Sequence, residues 1–427
     1  MQTRFDAIIA GAGPAGSTAA LLLARAGWSV ALVEKHAFPR RKVCGECIAA
    51  SNLPLVDALG IGAEFDAAAG PELRRVALMQ GDHCIEADLP AADHPRHAWG
   101  RALGRETLDT LLLERARAAG VVVLQPWSVQ AIDGVAGDQR CEIRAIDSVE
   151  RTILRAPVAI AAHGSWEPLP SDRASWRRVR QPGDLFAFKA NFVGASLADG
   201  LLPVLSFDGG YGGMVRAGGG VTTLACCVRA DRLDACRRDA PGVPAGEVVE
   251  ALLKRVCRGV DDTLRGAQRE AAWLASGPID PGVHLRRGDR LLRIGNAAGE
   301  AHPIIGEGIS MAMQSAWLLC AQLLHARRTH DAAHAWHDPA NRRYAAEWRR
   351  HFVPRLRLAA VFAQLAMRPA AAPALQTLLT RWPGLLTQGA RWAGKASCVL
   401  DPATIDRLAA GSDAVRGAGA AFASQAV

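Results

Sequence analysis

Residues 5–35, FDAIIAGAGPAGSTAALLLARAGWSVALVEK, decide the fold of the N-terminal region. An apolar run, a glycine-rich turn, a stretch with helical apolar spacing and a second apolar run follow one another, which is the order of a βαβ unit. Gly11, Gly13 and Gly16 form the pattern G-x-G-x-x-G between the first strand and the helix. In this pattern the first glycine permits the turn, the second lets phosphates approach the backbone, and the third lets helix and strand pack closely.

An acidic residue ends the second apolar run, at Glu34. A carboxylate in that place can accept hydrogen bonds from both hydroxyls of a ribose. Together with the glycine pattern it predicts a dinucleotide site, with Ala15 of the turn and Lys35 beside the acid as further contacts. These residues alone do not distinguish FAD from NAD.

A second glycine-rich turn follows a strand-like run at residues 293–314, RIGNAAGEAHPIIGEGISMAMQ. Two such turns on one α/β domain need a ligand long enough to touch both, and FAD is such a ligand. We expect the backbone N–H groups of 306–308 to face the pyrimidine edge of the flavin, where the N-terminus of a helix stabilises negative charge on the reduced ring. The predicted contacts in this turn are Asn296, Pro303, Gly306, Gly308 and Ile309.

The rest of the chain divides by pattern into further regions. Helical spacing and apolar strands at 104–163 and 291–296 extend the α/β domain, whereas 166–280 and 72–90 have the alternation and glycine-rich turns of antiparallel sheet. We therefore predict a Rossmann-like FAD-binding domain of the glutathione-reductase type, an inserted antiparallel β-sheet substrate domain and a C-terminal helical region. The predicted bounds are 1–71, 98–165 and 281–330 for the first, 72–97 and 166–280 for the second, and 331–427 for the third.

Charge, apolar runs and cysteine content limit the classes of protein to which this sequence can belong. The net charge of +8 comes from arginines scattered along 427 residues, so nucleic acid is not an expected partner. The sequence has no apolar run of spanning length and starts without a basic-then-apolar leader, which predicts a cytoplasmic protein. Ten cysteines without regular spacing favour free thiols, and no histidine or second C-x-x-C cluster indicates a metal.

Beyond the βαβ unit, FPRRKVCGECI (38–48), RETLD (105–109) and residues 293–316 carry a family resemblance. Together these motifs resemble the FAD fold shared by class A flavin monooxygenases, geranylgeranyl reductases and FAD-dependent halogenases. The resemblance implies that the arginine of R-x-x-L-D reaches the cofactor and that the segment after FPR lies along the flavin. The contacts that it implies are Arg105, Arg41, Lys42, Cys44 and Gly45.

The match departs from the family in three places. The usual Gly-Asp before the second turn is Gly295-Asn296, which keeps a hydrogen bond to the ribityl chain without a charge. The Asp-Gly motif that serves FAD and NAD(P)H in monooxygenases is His163-Gly164 here, so we expect electrons to come from a separate flavin or nicotinamide reductase. The aromatic motif of the reductases is reduced to YGGMVR at 211–216, and the halogenase W-x-W-x-I-P motif is missing.

The flavoenzymes that this sequence resembles catalyse three reactions: aromatic hydroxylation, halogenation and reduction of isoprenoid double bonds. Of the three reactions, hydroxylation requires the fewest special residues, because it needs a dry pocket and an acid–base group in the flavin-adjacent loop. The candidate catalytic residues are His302, Glu307 and Cys44, with Glu300 in the same loop. In the structural alternative, His302 only caps the turn and Glu307 is an ordinary glutamate at the start of a helix. The alternative to an enzyme is a non-catalytic flavin-binding assembly module.

The substrate is predicted only by class. Small phenols, resorcinols and indoles fit the hydroxylase interpretation. A Trp or Tyr side chain inside a peptide also fits it, because related flavoproteins take part in building tryptophylquinone cofactors. Tryptophans and arginines of the C-terminal helices either line a groove for such a peptide or form a packed helical cap.

Overall fold

The computed structural model describes residues 2–165, 179–286, 291–329, 336–368 and 372–396. The strands in these ranges are β1 (Ala7–Ala10), β2 (Val30–Val33), β3 (Cys47–Ile48), β4 (Arg75–Gln80), β5 (His83–Asp88), β6 (Arg101–Ala102), β7 (Val122–Leu124), β8 (Trp127–Val135), β9 (Asp138–Ala145), β10 (Arg151–Ala156), β11 (Val158–Ala161), β12 (Leu185–Val193), β13 (Leu201–Phe207), β14 (Gly210–Arg216), β15 (Thr222–Arg229), β16 (Gln268–Arg269), β17 (Leu274–Ser276), β18 (Gly282–Val283), β19 (Leu292–Arg293) and β20 (Gly299–Glu300). The helices are α1 (Pro14–Arg25), α2 (Leu53–Ala58), α3 (Gly62–Ala68), α4 (Arg105–Ala118), α5 (Ala230–Asp239), α6 (Ala245–Val256), α7 (Arg258–Leu264), α8 (Gly308–Thr329), α9 (His337–Ala366), α10 (Ala372–Arg381) and α11 (Gly384–Trp392).

A parallel sheet in the order β19-β11-β1-β2-β7 forms the centre of the N-terminal domain. Its strands are short continuous apolar runs because both faces are covered. In β1, Ala7 and Ile9 pack with helices α1, α4 and α8, and Ile8 packs with the three-stranded sheet β10-β9-β8. This three-layer arrangement, with the inserted sheet and the C-terminal helices, confirms the predicted fold class.

The second large sheet runs in the order β16-β12-β15-β14-β13-β4-β5, with β17 also paired to β12. Strands from both segments predicted for the substrate domain share it. The sheet is antiparallel except between β4 and β13, which are parallel. These two strands are far apart in the chain, so no hairpin fixes their relative direction. The prediction of a uniformly antiparallel sheet is therefore wrong at this pair.

Helices α5, α6 and α7 cover one face of this sheet, where residues such as Phe188, Leu205 and Leu252 form a buried cluster. The other face, with Ala187 and Tyr211, meets the N-terminal domain and the end of α9. The sheet therefore forms a wall between its own helices and the rest of the molecule.

The C-terminal helices pack back onto the body of the protein. Helix α9 contacts α8 and buries Trp348 and Phe352, and Pro354 lies within it. Helices α10 and α11 lie against β5, with Trp382 and Trp392 exposed. Residues 397–427 of the predicted C-terminal region, and 166–178 of the predicted substrate domain, lie outside the described residues. Of the helices that the structure describes, none combines the length and hydropathy that a membrane span requires.

A buried ion pair joins the sheet to the N-terminal domain. Lys189 of β12 pairs with Glu46, and both side chains are almost fully buried. The second carboxylate oxygen of Glu46 accepts a hydrogen bond from Thr223 Oγ1 at 2.6 Å, and the first also accepts one from the backbone N–H of Arg105 at 2.9 Å. Glu46 thus ties β12 and β15 to the start of helix α4.

We predict that Lys189→Met lowers the free energy of unfolding by roughly 3–5 kcal/mol, because it leaves the Glu46 carboxylate buried without its cation. Urea unfolding of the variant measures the loss, and adding Glu46→Gln should recover part of it. Lys254→Met is the matched control, since Lys254 pairs with Glu250 at 2.9 Å near the surface and its loss should cost about 1 kcal/mol or less. Equal losses in both variants would contradict the prediction.

Candidate active site

The first glycine turn sits where β1 ends and α1 begins. Gly11 has a φ of +106°, and a Cβ there would lie 2.6 Å from the carbonyl oxygen of Ala162. A Cβ on Gly16 would lie 1.8 Å from the carbonyl oxygen of Gly11. These two glycines are therefore required by packing. A Cβ on Gly13 would instead point into a cavity, where its nearest neighbours are guanidinium atoms of Arg105 at 3.8 Å and Arg40 at 4.0 Å.

Two arginines thus face the backbone N-terminus of α1. The Arg105 guanidinium forms a two-point contact with the fully buried Asp109, at 2.8 and 2.7 Å, which fixes its orientation. Arg40 pairs with Glu34 at 3.3 Å and lies 3.8 Å from Asp109. The Nε of Arg40 is buried without a hydrogen-bond partner among the described residues. The arginines, the helix N-terminus and the open side of Gly13 fit the pyrophosphate of FAD.

Glu34 lies beside this turn and is almost fully buried. Its carboxylate accepts hydrogen bonds from the backbone N–H groups of Ala12 and His36, each at 2.9 Å. These contacts hold it at the carboxyl end of β2, on the wall of the cavity, where the sequence predicts a ribose contact.

The second turn contacts the first. Gly295 has a φ of +59°, and a Cβ there would lie 3.0 Å from the Cβ of Ala15. The next residue, Asn296, donates a hydrogen bond to Ser165 Oγ at 2.7 Å and lies 3.4 Å from a carboxylate oxygen of Glu300. Burial raises the pKa of the Glu300 carboxyl to about 6, against the opposing effect of its hydrogen bond with Ser165. This carboxyl group lines the cavity next to the asparagine that replaces the family's aspartate.

The loop before α8 explains the glycines of the second turn. Gly306 ends the short 3₁₀ turn of 303–305 in the left-handed conformation, with φ 59° and ψ 36°. A Cβ on Gly308 would meet no described atom within 4 Å, and both glycines line the cavity. The side chain of Glu307 is fully buried and forms an ion pair with Lys395 at 3.1 Å. The loop therefore presents its backbone to the cavity and its carboxylate to the C-terminal region.

The two thiols of C-x-x-C have different surroundings. Cys44 lines the cavity, accepts a hydrogen bond from the backbone N–H of Glu46 at 3.3 Å and is in hydrogen-bonding contact with the Arg105 side chain. Cys47 is buried, with its Sγ 3.4 Å from Lys395 Nζ, and burial raises the pKa of its thiol. The cysteines of the described ranges are free thiols.

The inserted sheet meets the flavin-side loop at strand β14. Tyr211 Oη of β14 lies 3.0 Å from Nδ1 of His302, and Tyr211 also contacts the thiol of Cys227. Burial lowers the pKa of His302 to about 4, and burial raises that of Tyr211. Both side chains are therefore neutral at physiological pH.

All these parts open into one cavity of about 520 Å³. The predicted residues that line it are Gly11, Gly13, Ala15, Glu34, Lys35, Lys42, Cys44, Gly45, Arg105, Asn296, Pro303, Gly306, Gly308 and Ile309. Four others lie around it: Gly16 packs against Gly11, Arg41 lies 3.9 Å from Glu106, His302 contacts Tyr211, and Glu307 contacts Lys395. Within the described ranges, no group of three or more His, Cys, Asp or Glu side chains is placed to hold a metal.

Three residues that the sequence does not single out also line this cavity: Arg40, Glu46 and Tyr211. Glu300, which the sequence places in the flavin-adjacent loop, lines it as well. Arg40 belongs to the quoted FPR motif, so its signal was present and Arg41 was selected instead. Tyr211 lies in YGGMVR, the remnant of the family's aromatic motif. Glu46 carries no sequence signal, because its role depends on strands β12 and β15, which come much later in the chain.

Comparison with known proteins agrees with this geometry. Residues 4–183 match the sequence family described as FAD binding domain. The menaquinone reductase of Mycobacterium tuberculosis is 26% identical over 345 residues, which are 78% of this chain and 78% of that protein. The match covers the part of the chain that carries the first glycine turn, Glu34 and Arg105, and it supports FAD as the cofactor.

Solved structures share the whole architecture. The flavin-dependent brominase Bmp2 superimposes with a TM-score of 0.71 at 17% identity, covering 99% of this chain and 100% of that one. P. aeruginosa PqsL, in complex with 2-aminobenzoylacetate, superimposes with a TM-score of 0.66 at 19% identity, covering 92% and 99%. At these identities the likeness establishes a common fold.

We predict that Gly13→Val abolishes FAD binding, because the new side chain fills the space between Arg40 and Arg105 that the pyrophosphate needs. Flavin released by denaturing the purified protein measures the effect. Gly384→Val, at the start of α11 where a Cβ meets no described atom within 4 Å, is the matched control and should keep its flavin. Full flavin content in Gly13→Val would show that this turn serves packing alone.

The raised pKa of Glu300 predicts a pH dependence of stability. Between pH 4.5 and about 6 the folded protein keeps the proton that the unfolded chain has released. The stabilisation is therefore complete below the lower value and is lost as pH rises through the upper one, a change of about 2 kcal/mol. Comparing urea unfolding of flavin-free wild type and Glu300→Gln at about pH 4 and about pH 7.5 should show this extra decline in the wild type only. Parallel pH profiles would count against it.

Proposed function

Because the chain resembles the FAD-dependent oxidoreductases that include class A monooxygenases, geranylgeranyl reductases and halogenases, we propose that it hydroxylates an aromatic substrate. The substrate is of the phenol or indole type. A Trp or Tyr side chain within a peptide is a narrower form of the same proposal, because it presents the same rings.

The observation that carries the proposal is the contact between Tyr211 and His302. The Tyr211 hydroxyl group lies on the wall of the cavity, and its oxygen is 3.0 Å from Nδ1 of the neutral His302 imidazole. Hydroxylation of a phenol or indole is assisted when the ring's O–H or N–H proton is removed, because this raises electron density at the ring carbons. A pair that accepts this proton serves hydroxylation more directly than reduction of a double bond.

The two residues have complementary roles. The Tyr211 hydroxyl group, held in its protonated form by burial, accepts a hydrogen bond from the substrate and donates its own proton toward His302 Nδ1. His302 is half-buried, so its ring connects the cavity to solvent and passes the proton outward. Its low pKa keeps the ring neutral, so Nδ1 can accept the hydrogen bond of Tyr211, and makes the ring a relay that gives up a proton at once rather than a resting base. Together they move one proton from substrate to water.

The remaining walls keep water out and hold the cofactor. Ala187, Met214, Ile279 and Ile304 give the substrate end of the cavity an apolar lining. FAD, when bound and reduced, supplies the chemistry that activates oxygen. The residues that would hold it are those of the two glycine turns, with Arg40, Arg105 and Glu34 at the pyrophosphate and ribose.

We also propose that the electrons come from a separate flavin or nicotinamide reductase. The support is the His163-Gly164-Ser165 sequence where the family's Asp-Gly motif stands, with Ser165 occupied by the side chain of Asn296. If a separate reductase supplies the electrons, this chain does not need a helix or lobe that binds a nicotinamide.

One second candidate has a specific observation in its favour. The menaquinone reductase relative, similar over 78% of this chain, supports reduction of a carbon–carbon double bond in an isoprenoid or quinone. Halogenation is supported by the fold alone. The three reactions change the mass of a substrate differently, so one experiment separates them.

That experiment supplies the protein with FAD, an added flavin reductase, NADH, air and bromide. The substrate panel contains phenols, resorcinols, indoles, a menaquinone and peptides with one Trp or Tyr. We expect an aromatic substrate to gain one oxygen atom. A gain of bromine, or of two hydrogens on the menaquinone, would replace the proposal, and a bound flavin inert to both reductant and oxygen would favour a non-catalytic module.

We predict that Tyr211→Phe slows hydroxylation of the best panel substrate by roughly 10²–10⁴-fold while oxygen consumption continues, because the flavin still reacts but the ring is not activated. Product formation and peroxide release are measured together, and their ratio shows how much of the oxygen consumed leads to hydroxylation. Tyr344→Phe is the matched control: it removes a buried hydroxyl group that donates to the Arg293 carbonyl at 2.7 Å. A Tyr211→Phe enzyme with unchanged product yield would overturn the proposed role.

A further inference from the structure

Lys395, which follows helix α11, reaches the back of the flavin-side loop. Its Nζ lies 3.0 Å from the carbonyl oxygen of Gly306, 3.1 Å from Oε1 of Glu307 and 3.4 Å from Sγ of Cys47. The lysine side chain is about nine-tenths buried and that of Glu307 is fully buried. A single cation from the C-terminal region therefore contacts three groups of the N-terminal domain at once.

Such a pair needs a reason to be buried. Removing an ammonium and a carboxylate from water is costly, and their mutual attraction repays the cost only with good geometry and further hydrogen bonds. Here neither carboxylate oxygen of Glu307 has a hydrogen-bond partner among the described residues, which leaves the charge contact with Lys395 at 3.1 Å. Glu307 consequently depends on Lys395 for its compensation.

The pair lies directly behind backbone that faces the cavity. Gly306 and Gly308 on either side of Glu307 line the cavity, as does Cys47. A Cβ on Gly306 would lie 3.2 Å from Lys395 Nζ, so the turn and the ammonium are in close contact. Any negative charge that develops beside this loop is thus near both the carboxylate of Glu307 and the cation that balances it.

We infer that Lys395 is a positioning residue for the flavin, which anchors the turn at Gly306 and neutralises Glu307 so that the loop can stabilise the reduced cofactor. Without the lysine, the Glu307 carboxylate would repel the negative charge of the reduced ring across a short, poorly screened distance. With it, the N–H groups of the loop and the start of α8 dominate. The inference holds for any of the three reactions, because each needs a reduced flavin.

The groups around the pair are few among the described residues. Cys47 is held in its thiol form by burial, and the guanidinium of Arg355 lies near the backbone of Gly394, next to the lysine. Lys395 itself is the cation in direct contact with Glu307. The charge balance of the loop is therefore decided chiefly by these two side chains.

A double-mutant cycle on the FAD-loaded protein tests the inference. Reduction potentials are measured spectroelectrochemically for wild type, Lys395→Met, Glu307→Gln and the double variant, with FAD dissociation constants from titration. We expect Lys395→Met to weaken binding of reduced relative to oxidised FAD by roughly tenfold, a potential lower by about 30 mV. Glu307→Gln should not lower the potential, and the double variant should return close to wild type.

Two controls separate charge from structure. Lys395→Arg keeps the cation and should retain most of the potential. Lys254→Met removes a Lys–Glu pair on helix α6 and should leave the potential unchanged. A Lys395→Met protein with wild-type potential, or a double variant as low as the single, overturns the inference. If Lys395→Met binds no FAD, restored binding in the double variant supports the inference and an empty double variant overturns it.

Discussion

The close packing of helix α1 onto the end of strand β1 is the constraint on which the rest of the structure depends. A Cβ on Gly16 would overlap the Gly11 carbonyl, and one on Gly11 would overlap that of Ala162. Only glycines bring the helix this near, and the closeness puts its N-terminus at the carboxyl edge of the sheet. The second turn packs on the first through Gly295 and Ala15, so both turns share one cleft. FAD binding follows from this geometry rather than from any single side chain.

The inserted sheet is attached to that cleft by a buried polar hub. The backbone of Glu46 has a φ of 59°, a value that residues other than glycine rarely adopt. Its carboxylate contacts three parts of the chain. A residue held in a costly conformation persists when its surroundings determine it. Here the hub fixes the loop that carries Cys44 and Gly45 while it holds the sheet over the cavity. The proposed substrate end, at Tyr211, is placed by the same attachment.

Local patterns predicted much of this, and the limits have physical causes. The βαβ unit, the second turn and the inserted sheet each carry their signal within a few adjacent residues, so the fold class was predicted correctly. Contacts between distant segments leave no such signal. The position of Glu46 is explained by its contacts with Lys189, Thr223 and the backbone of Arg105, and that of Glu307 by its contact with Lys395. The same reason explains the β4–β13 pairing, whose parallel direction no turn residue encodes.

The position of the flavin ring in a crystal structure of the FAD complex tests the central claim most directly, that one cleft joins the phosphate turn to the tyrosine wall. The account predicts the pyrophosphate at Gly13 between Arg40 and Arg105, and the ring beside the N–H groups of 306–308 with Tyr211 across the remaining space. A pyrophosphate elsewhere, or a ring turned away from that loop with no open space toward Tyr211, would contradict it.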